Sequence, residues 1–204
     1  MSSNILITRV LKPLVWILSL APAFWLGWLV WQTFTVNPDA LGANPVEYIN
    51  RYLGEWALKF LLIALAITPL RILTGWAPIT RFRRLIGLFA FFYVVLHLSS
   101  YIGVDQYFDW LEIWKDIVKR TYITVGMAAF VILLVLASTS TKGMIKRVGG
   151  KTWNKLHKTV YIAGILGCLH FYMMRKGIQL EPIIYSAILL GLFAIRGLKY
   201  FRSR

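Results

Sequence analysis

The sequence predicts an all-α integral membrane protein, a six-transmembrane-helix bundle with both termini in the cytoplasm. Three observations carry that expectation. Apolar residues make up 58% of the 204 positions, with nine tryptophans and a mean hydropathy of +0.65, more apolar surface than a soluble domain of this size carries. Six apolar runs each approach the roughly 20 residues a helix needs to cross about 30 Å of hydrocarbon. The charges also sort by side: with the N-terminus inside, all eight acidic residues fall on the outer face.

The first run, Leu14 to Trp31, is too long for the apolar core of a signal peptide, and no small-x-small cleavage site follows it. It reads as a retained helix whose Trp25, Trp28 and Trp31 form an aromatic belt. The second, Tyr52 to Leu70, carries Glu55 and Lys59 four residues apart near its outer start. An intrahelical ion pair is the plainer reading of those two, and a proton path has no other support. The third run, Leu85 to Val104, contains His97, and the fourth extends from Tyr122 to Thr139. The fifth, Leu156 to Met174, holds His157 and His170, and the sixth spans Pro182 to Leu198. Neighbouring helices tolerate the Pro and Gly inside these runs.

The connections 32–51, 105–121 and 140–155 are too short for a further domain, so residues 1–204 read as one transmembrane domain. There is no dinucleotide-binding fold, and oxidation of NADPH would belong to another protein. The outer stretch "DQYFDWLEIWKDIVKR" alternates charge with Trp110, Leu111, Ile113, Trp114 and Ile117. It reads either as a short amphipathic helix in the outer interface or as a docking surface.

The inner segments hold sixteen Lys and Arg and no acid, among them Arg83, Arg84, Lys158, Arg196 and Arg204. The outer segments hold the other seven, including Arg175 and Lys176, beside the acids. That asymmetry sets the orientation and grips anionic membrane lipids. It excludes nucleic acid as a partner, because the basic clusters lie between membrane spans. The single Cys168 excludes an internal disulfide and a multi-cysteine metal site, and reads as a small core residue.

His97 lies about 18 Å from the inner end of the third run, and His170 about 21 Å along the fifth, which runs the same way. Two imidazoles at matched height on parallel helices can clamp one haem iron from both faces. Two histidines alone do not make a tetrahedral zinc site. An interhelical hydrogen bond is the other reading of each ring. His157, thirteen residues before His170, is expected about 20 Å lower on the same helix and roughly 140° around it. A second haem there needs a further ligand, and the chain has no fourth histidine. Arg84 stands at that same inner level, able to meet a haem propionate or the iron itself. Arg81, Arg83 and Arg84 read equally as topology signals in contact with lipid, and His157 equally as an interfacial residue.

The stretches "LGANPVE" (41–47), "ITPLR" (67–71), "RRLIGL" (83–88), "LHLSSY" (96–101), "RTYITVG" (120–126), "STST" (138–141) and "WNKLHKTVY" (153–161), with His170 in "LHFYM", follow one another in a recognisable order. Together they resemble the ferric-reductase-like transmembrane superfamily, which includes the membrane halves of NADPH oxidases. Within it they are most similar to haem-binding membrane subunits of the periplasmic protein-methionine-sulfoxide reductase system, the MsrQ type.

The resemblance implies b-type haem at His97, His170 and His157, with FMN as a further cofactor. It implies a bacterial inner-membrane protein that passes electrons to a periplasmic molybdenum-cofactor methionine sulfoxide reductase, which repairs oxidised proteins. The donor would be the quinone pool or a cytosolic flavin reductase, and this chain would be an electron-transfer subunit rather than the catalytic one. Relatives with two stacked haems carry two histidines on the third helix as well as on the fifth. Here Arg83 or Arg84 takes the inner position, so one haem b is expected and a second is open. A haem-free assembly or scaffold subunit and a small transporter stand as alternatives. A transporter would need polar groups at mid-membrane, where this chain is almost wholly apolar.

Overall fold

The computed structural model describes residues 3–174 and 179–202. Arg175, Lys176 and Arg204, counted above among the outer and inner cations, lie outside the described residues. The fold is all-α, as predicted, and no strand occurs among the described residues.

The chain opens with a helical turn, α1 (Ser3–Leu6), and a π-helical stretch over Ile7–Leu11, both continuous with α2 (Lys12–Thr35). Then come α3 (Pro45–Thr74) and α4 (Arg83–Ser100), the latter entered by a 3-10 turn over Ala77–Phe82 and extended by a π-helical turn over Tyr101–Asp105. A short helix, α5 (Trp110–Lys119), precedes α6 (Thr121–Ser138). Two more short helices, α7 (Lys142–Val148) and α8 (Gly150–His157), lead to α9 (Val160–Met174) and α10 (Leu180–Arg202). Among the described residues, five helices are long and apolar enough to cross a membrane: Ile7–Thr35, Pro45–Thr74, Ala77–Asp105, Thr121–Ser138 and Leu180–Arg202. The sixth rod, α9, has 15 described residues, about 22 Å at 1.5 Å per residue. It packs against α3, α6 and α10.

Local chemistry explains where the helices depart from the apolar runs. The α3 helix begins at Pro45, well before Tyr52, because Asn44 caps it. The Asn44 side-chain oxygen accepts from Glu47 N at 3.2 Å, and its amide donates to Glu47 Oε2 at 3.1 Å. The same helix stops at Gly75, whose φ of +70° a residue with a Cβ adopts only at a cost.

The fifth run is the correction. It is not one helix: Lys158 N and Thr159 N bond back three residues, to Lys155 O at 3.2 Å and Leu156 O at 3.0 Å. The Thr159 hydroxyl takes Leu156 O as well, at 2.8 Å. These tightened turns end α8 at His157, and the apolar helix restarts at Val160. His157 and His170 therefore stand on different helices, and the expected 140° between them does not apply.

The bundle is organised on α3, whose Leu53, Ala57, Leu58, Leu61 and Leu65 are buried. One hydroxyl joins α2 to α4. Beside Pro22, the Ala23 N–H donates to Tyr93 Oη at 3.1 Å. Tyr93 Oη donates on to Ser19 O at 2.8 Å, so the hydroxyl bridges two backbone groups of α2. Tyr52 Oη donates to Pro22 O at 3.2 Å. Glu55 and Lys59 form the expected i, i+4 pair at 3.5 Å, with Lys59 Nζ 4.9 Å from the centre of the Trp56 ring. Trp25, Trp28 and Trp31 are exposed along α2, where lipid would cover them.

Candidate cofactor sites

Two cavities lie inside the bundle, one toward the acidic end and one toward the basic end. His97 on α4 and His170 on α9 meet in the first, a space of about 240 Å³ also lined by Asn50, Gly54, Gly126 and Phe171. Their ring centres are 6.2 Å apart and their planes are 72° apart. The two rings that residue counting expected to meet lie side by side.

Each ring is held in one tautomer. His97 Nδ1 lies 2.9 Å from Asn50 O, and His170 Nδ1 lies 2.7 Å from Tyr122 O. A carbonyl oxygen only accepts, so both Nδ1 atoms carry the proton and both Nε2 atoms present a lone pair. Neither Nε2 takes a hydrogen bond among the described residues. Fixing one ring nitrogen against a carbonyl is how a ligating histidine is oriented and made more basic.

Asn50 and Ser100 brace the His97 side. Asn50 Nδ2 donates to Ser100 Oγ at 3.1 Å, and Ser100 Oγ donates to His97 O at 2.8 Å. The donor set fits one metal in a planar macrocycle. Two imidazoles bound on opposite sides of a metal at about 2.0 Å per bond have ring centres roughly 6.3 Å apart, close to the 6.2 Å observed. Among the described residues, no group of three or more His, Cys, Asp or Glu side chains gathers to hold a bare metal ion. Cys168 is buried in the core, away from that role.

The second cavity, about 390 Å³, brings together the other predicted residues: His157, Arg83 and Arg84, with Lys158 and Arg196. Among the described residues, no acidic side chain lines it. Trp153 stacks on His157 with ring centres 3.9 Å apart, and His157 Nε2 lies 3.3 Å from Thr139 Oγ1. No second imidazole faces His157. The Arg196 guanidinium donates to the Tyr161 hydroxyl and, at 2.5 Å, to Leu65 O, while its buried Nε has no partner among the described residues. Leu61 and Leu133 line both cavities, so one layer of side chains separates them.

Sequence reasoning missed Gly54, Gly126, Asn50 and Arg196. Gly54 and Gly126 follow Asn50 and Tyr122 by four residues, a spacing that carries meaning only once the helix pairs are known. Arg196 looked like one more basic-end cation beside Lys199 and Arg202, and only its packing sets it apart.

Residues 53–168 match the family described as "Ferric reductase like transmembrane component". A protein of Rhodospirillum rubrum is 56% identical over 86% of this chain and 85% of its own length. One from Caulobacter vibrioides is 46% identical over 90% and 84%, and one from Xanthomonas oryzae pv. oryzae is 47% identical over 96% and 89%. All three are named "Protein-methionine-sulfoxide reductase heme-binding subunit MsrQ".

Proposed function

Since this chain belongs to the ferric reductase-like transmembrane family, we propose that it is the haem-binding electron-transfer subunit of a methionine sulfoxide reductase system. The observation that carries the reading is the pair of imidazoles at the acidic end, 6.2 Å apart and each with Nδ1 bound to a carbonyl. His97 and His170 would hold a b-type haem between them. Arg51 and Arg120 line the same cavity and offer charge for its propionates. Bound haem iron supplies one-electron chemistry between its ferric and ferrous states. The chain's own residues ligate, orient and keep the cofactor dry within the bundle. A haem-free scaffold would have no use for two imidazoles locked as acceptors in one cavity.

In this reading the basic end faces the cytoplasm of a bacterial inner membrane, following the excess of Lys and Arg there. Electrons enter at that end, from the quinone pool or a cytosolic flavin reductase. They leave at the acidic end for a periplasmic molybdenum-cofactor reductase. The relatives' names support the reductase partnership, and the family resemblance suggests the donors and the molybdenum cofactor.

The basic-end cavity is the place for a second cofactor. His157 would offer one ligand to a second haem, and Arg83 or Arg84, whose guanidinium has no lone pair for a metal, would meet its propionates. FMN is the other occupant in this reading, its phosphate matched by Arg83, Arg84, Lys158 and Arg196. Trp110, Leu111, Trp114 and Val118 of α5 are exposed, and α5 is flanked in sequence by the cavity-lining Asp105 and Arg120, so lipid or the partner would meet them.

The test is haem content after purification of the full chain with haem supplied. His97→Ala and His170→Ala should each lose most of the absorbance that the wild type carries. Wild-type haem content and spectrum in both variants would rule out the clamp.

A further inference from the structure

The two imidazoles are held by one device built twice. His97 on α4 donates to Asn50 O of α3, and the residue four positions on is Gly54. His170 on α9 donates to Tyr122 O of α6, and the residue four positions on is Gly126. In a helix each Cβ tilts toward the N-terminus, so a side chain at i+4 overhangs the carbonyl of residue i. Glycine clears that overhang and lets a ring reach the carbonyl from the neighbouring helix. A Cβ at Gly54 would stand 3.1 Å from both Cε1 and Nδ1 of His97. At Gly126 it would stand 2.8 Å from His170 Nδ1 and 3.0 Å from Cε1. Each ring is thus caught between a carbonyl that fixes Nδ1 and a glycine that admits the ring in one orientation. The result is a pair of planes 72° apart.

We infer that Gly54 and Gly126 are positioning residues that set the two axial imidazole planes nearly crosswise at the haem iron. The inference rests on the haem reading proposed above, and it concerns the electronic state the site imposes. Imidazoles in parallel planes split the two π-type d orbitals of low-spin ferric iron. Imidazoles in crossed planes leave those orbitals close in energy. The unpaired electron then keeps most of its orbital moment. Its electron paramagnetic resonance spectrum has a single feature at unusually high g, in place of the three-line rhombic pattern of parallel planes.

The experiment is that spectrum, recorded at low temperature on oxidised, haem-loaded, full-length protein, with haem content measured on the same sample. The wild type should give the high-g feature, and His97→Ala should abolish it. Gly126→Ala should shift the largest g value, because the new methyl group forces the His170 ring to turn. Gly54→Ala should shift it less, the approach being 3.1 Å against 2.8 Å. Gly27→Ala on α2, where a Cβ meets nothing within 4 Å, should leave it unchanged. A rhombic three-line spectrum in the wild type overturns the inference while leaving the haem reading standing. So does a haem-bound Gly126→Ala with an unshifted g value. A wild type that binds no haem overturns both. Should Gly126→Ala fail to fold, the wild-type spectrum alone decides.

Discussion

The two cavities share the walls Leu61 and Leu133 and both draw on α3, α4, α6 and α9, yet they differ in the chemistry they present. The acidic-end cavity presents two neutral imidazoles to one another, each backed by a glycine and fixed by a carbonyl. The basic-end cavity presents one histidine, its face covered by Trp153, among four cations and no acid. In the proposed reading the first would suit a metal with two open axial positions. The second, lined by cations, would suit an anion, and a metal there would have at most one imidazole. A depth-matched pair of histidines is thus a different object from a histidine beside arginines, even within one bundle.

The strongest way to break this contrast is to remove the imidazoles one at a time. His97→Ala or His170→Ala should empty the acidic-end site, lowering haem per chain about tenfold or more, read by absorbance after extraction. That scale corresponds to losing at least about 1.4 kcal/mol of binding. His157→Ala should leave the acidic-end low-spin spectrum intact and change only what enters from the basic end. Stopped-flow reduction should slow while the spectrum holds. If His157→Ala removed as much low-spin haem as His97→Ala, the two cavities would not be separate sites.

The contrast was partly legible in the sequence, for physical reasons. Span lengths predicted six membrane helices, of which five described ones are long and apolar enough to cross, and rise per residue predicted that His97 and His170 would meet, as their rings do. The break at Lys158–Thr159 was hidden because Val160 to Met174 extends the apolar run read from Leu156. Only the i−3 bonds of Lys158 and Thr159, with the Thr159 hydroxyl, reveal the end of α8. The glycine locks were hidden for another reason. A lone glycine in a membrane helix has many uses, and its contact with an imidazole on another helix is set by tertiary packing. Arg196 is the same case, since charge alone does not separate a guanidinium pointed into the bundle from one in lipid headgroups. By contrast, α5 was readable from its alternating charges and aromatics. Asp109 now supplies its N-cap, accepting from Leu111 N and Glu112 N, each at 3.1 Å.

Smaller effects sharpen the comparison. Arg196→Met should cost about 1–3 kcal/mol of stability, because the Tyr161 hydroxyl loses its partner and Leu65 O loses a charged donor. Thermal unfolding in detergent measures that, and an unchanged midpoint would mean the basic-end cavity does not depend on Arg196. Asp109→Ala should be the mildest change, about 1 kcal/mol for a lost N-cap. It should appear as faster hydrogen exchange confined to α5 at the acidic-end mouth, with haem content unaltered.

The central claim is that His97 and His170 grip one haem between them. Its most direct test is the visible spectrum of the purified full-length protein, oxidised and then reduced with dithionite. The account requires a Soret band that shifts on reduction in the manner of a low-spin b-type haem with two histidine ligands. A folded protein that stays colourless when haem is supplied, or that shows a high-spin spectrum, would contradict it.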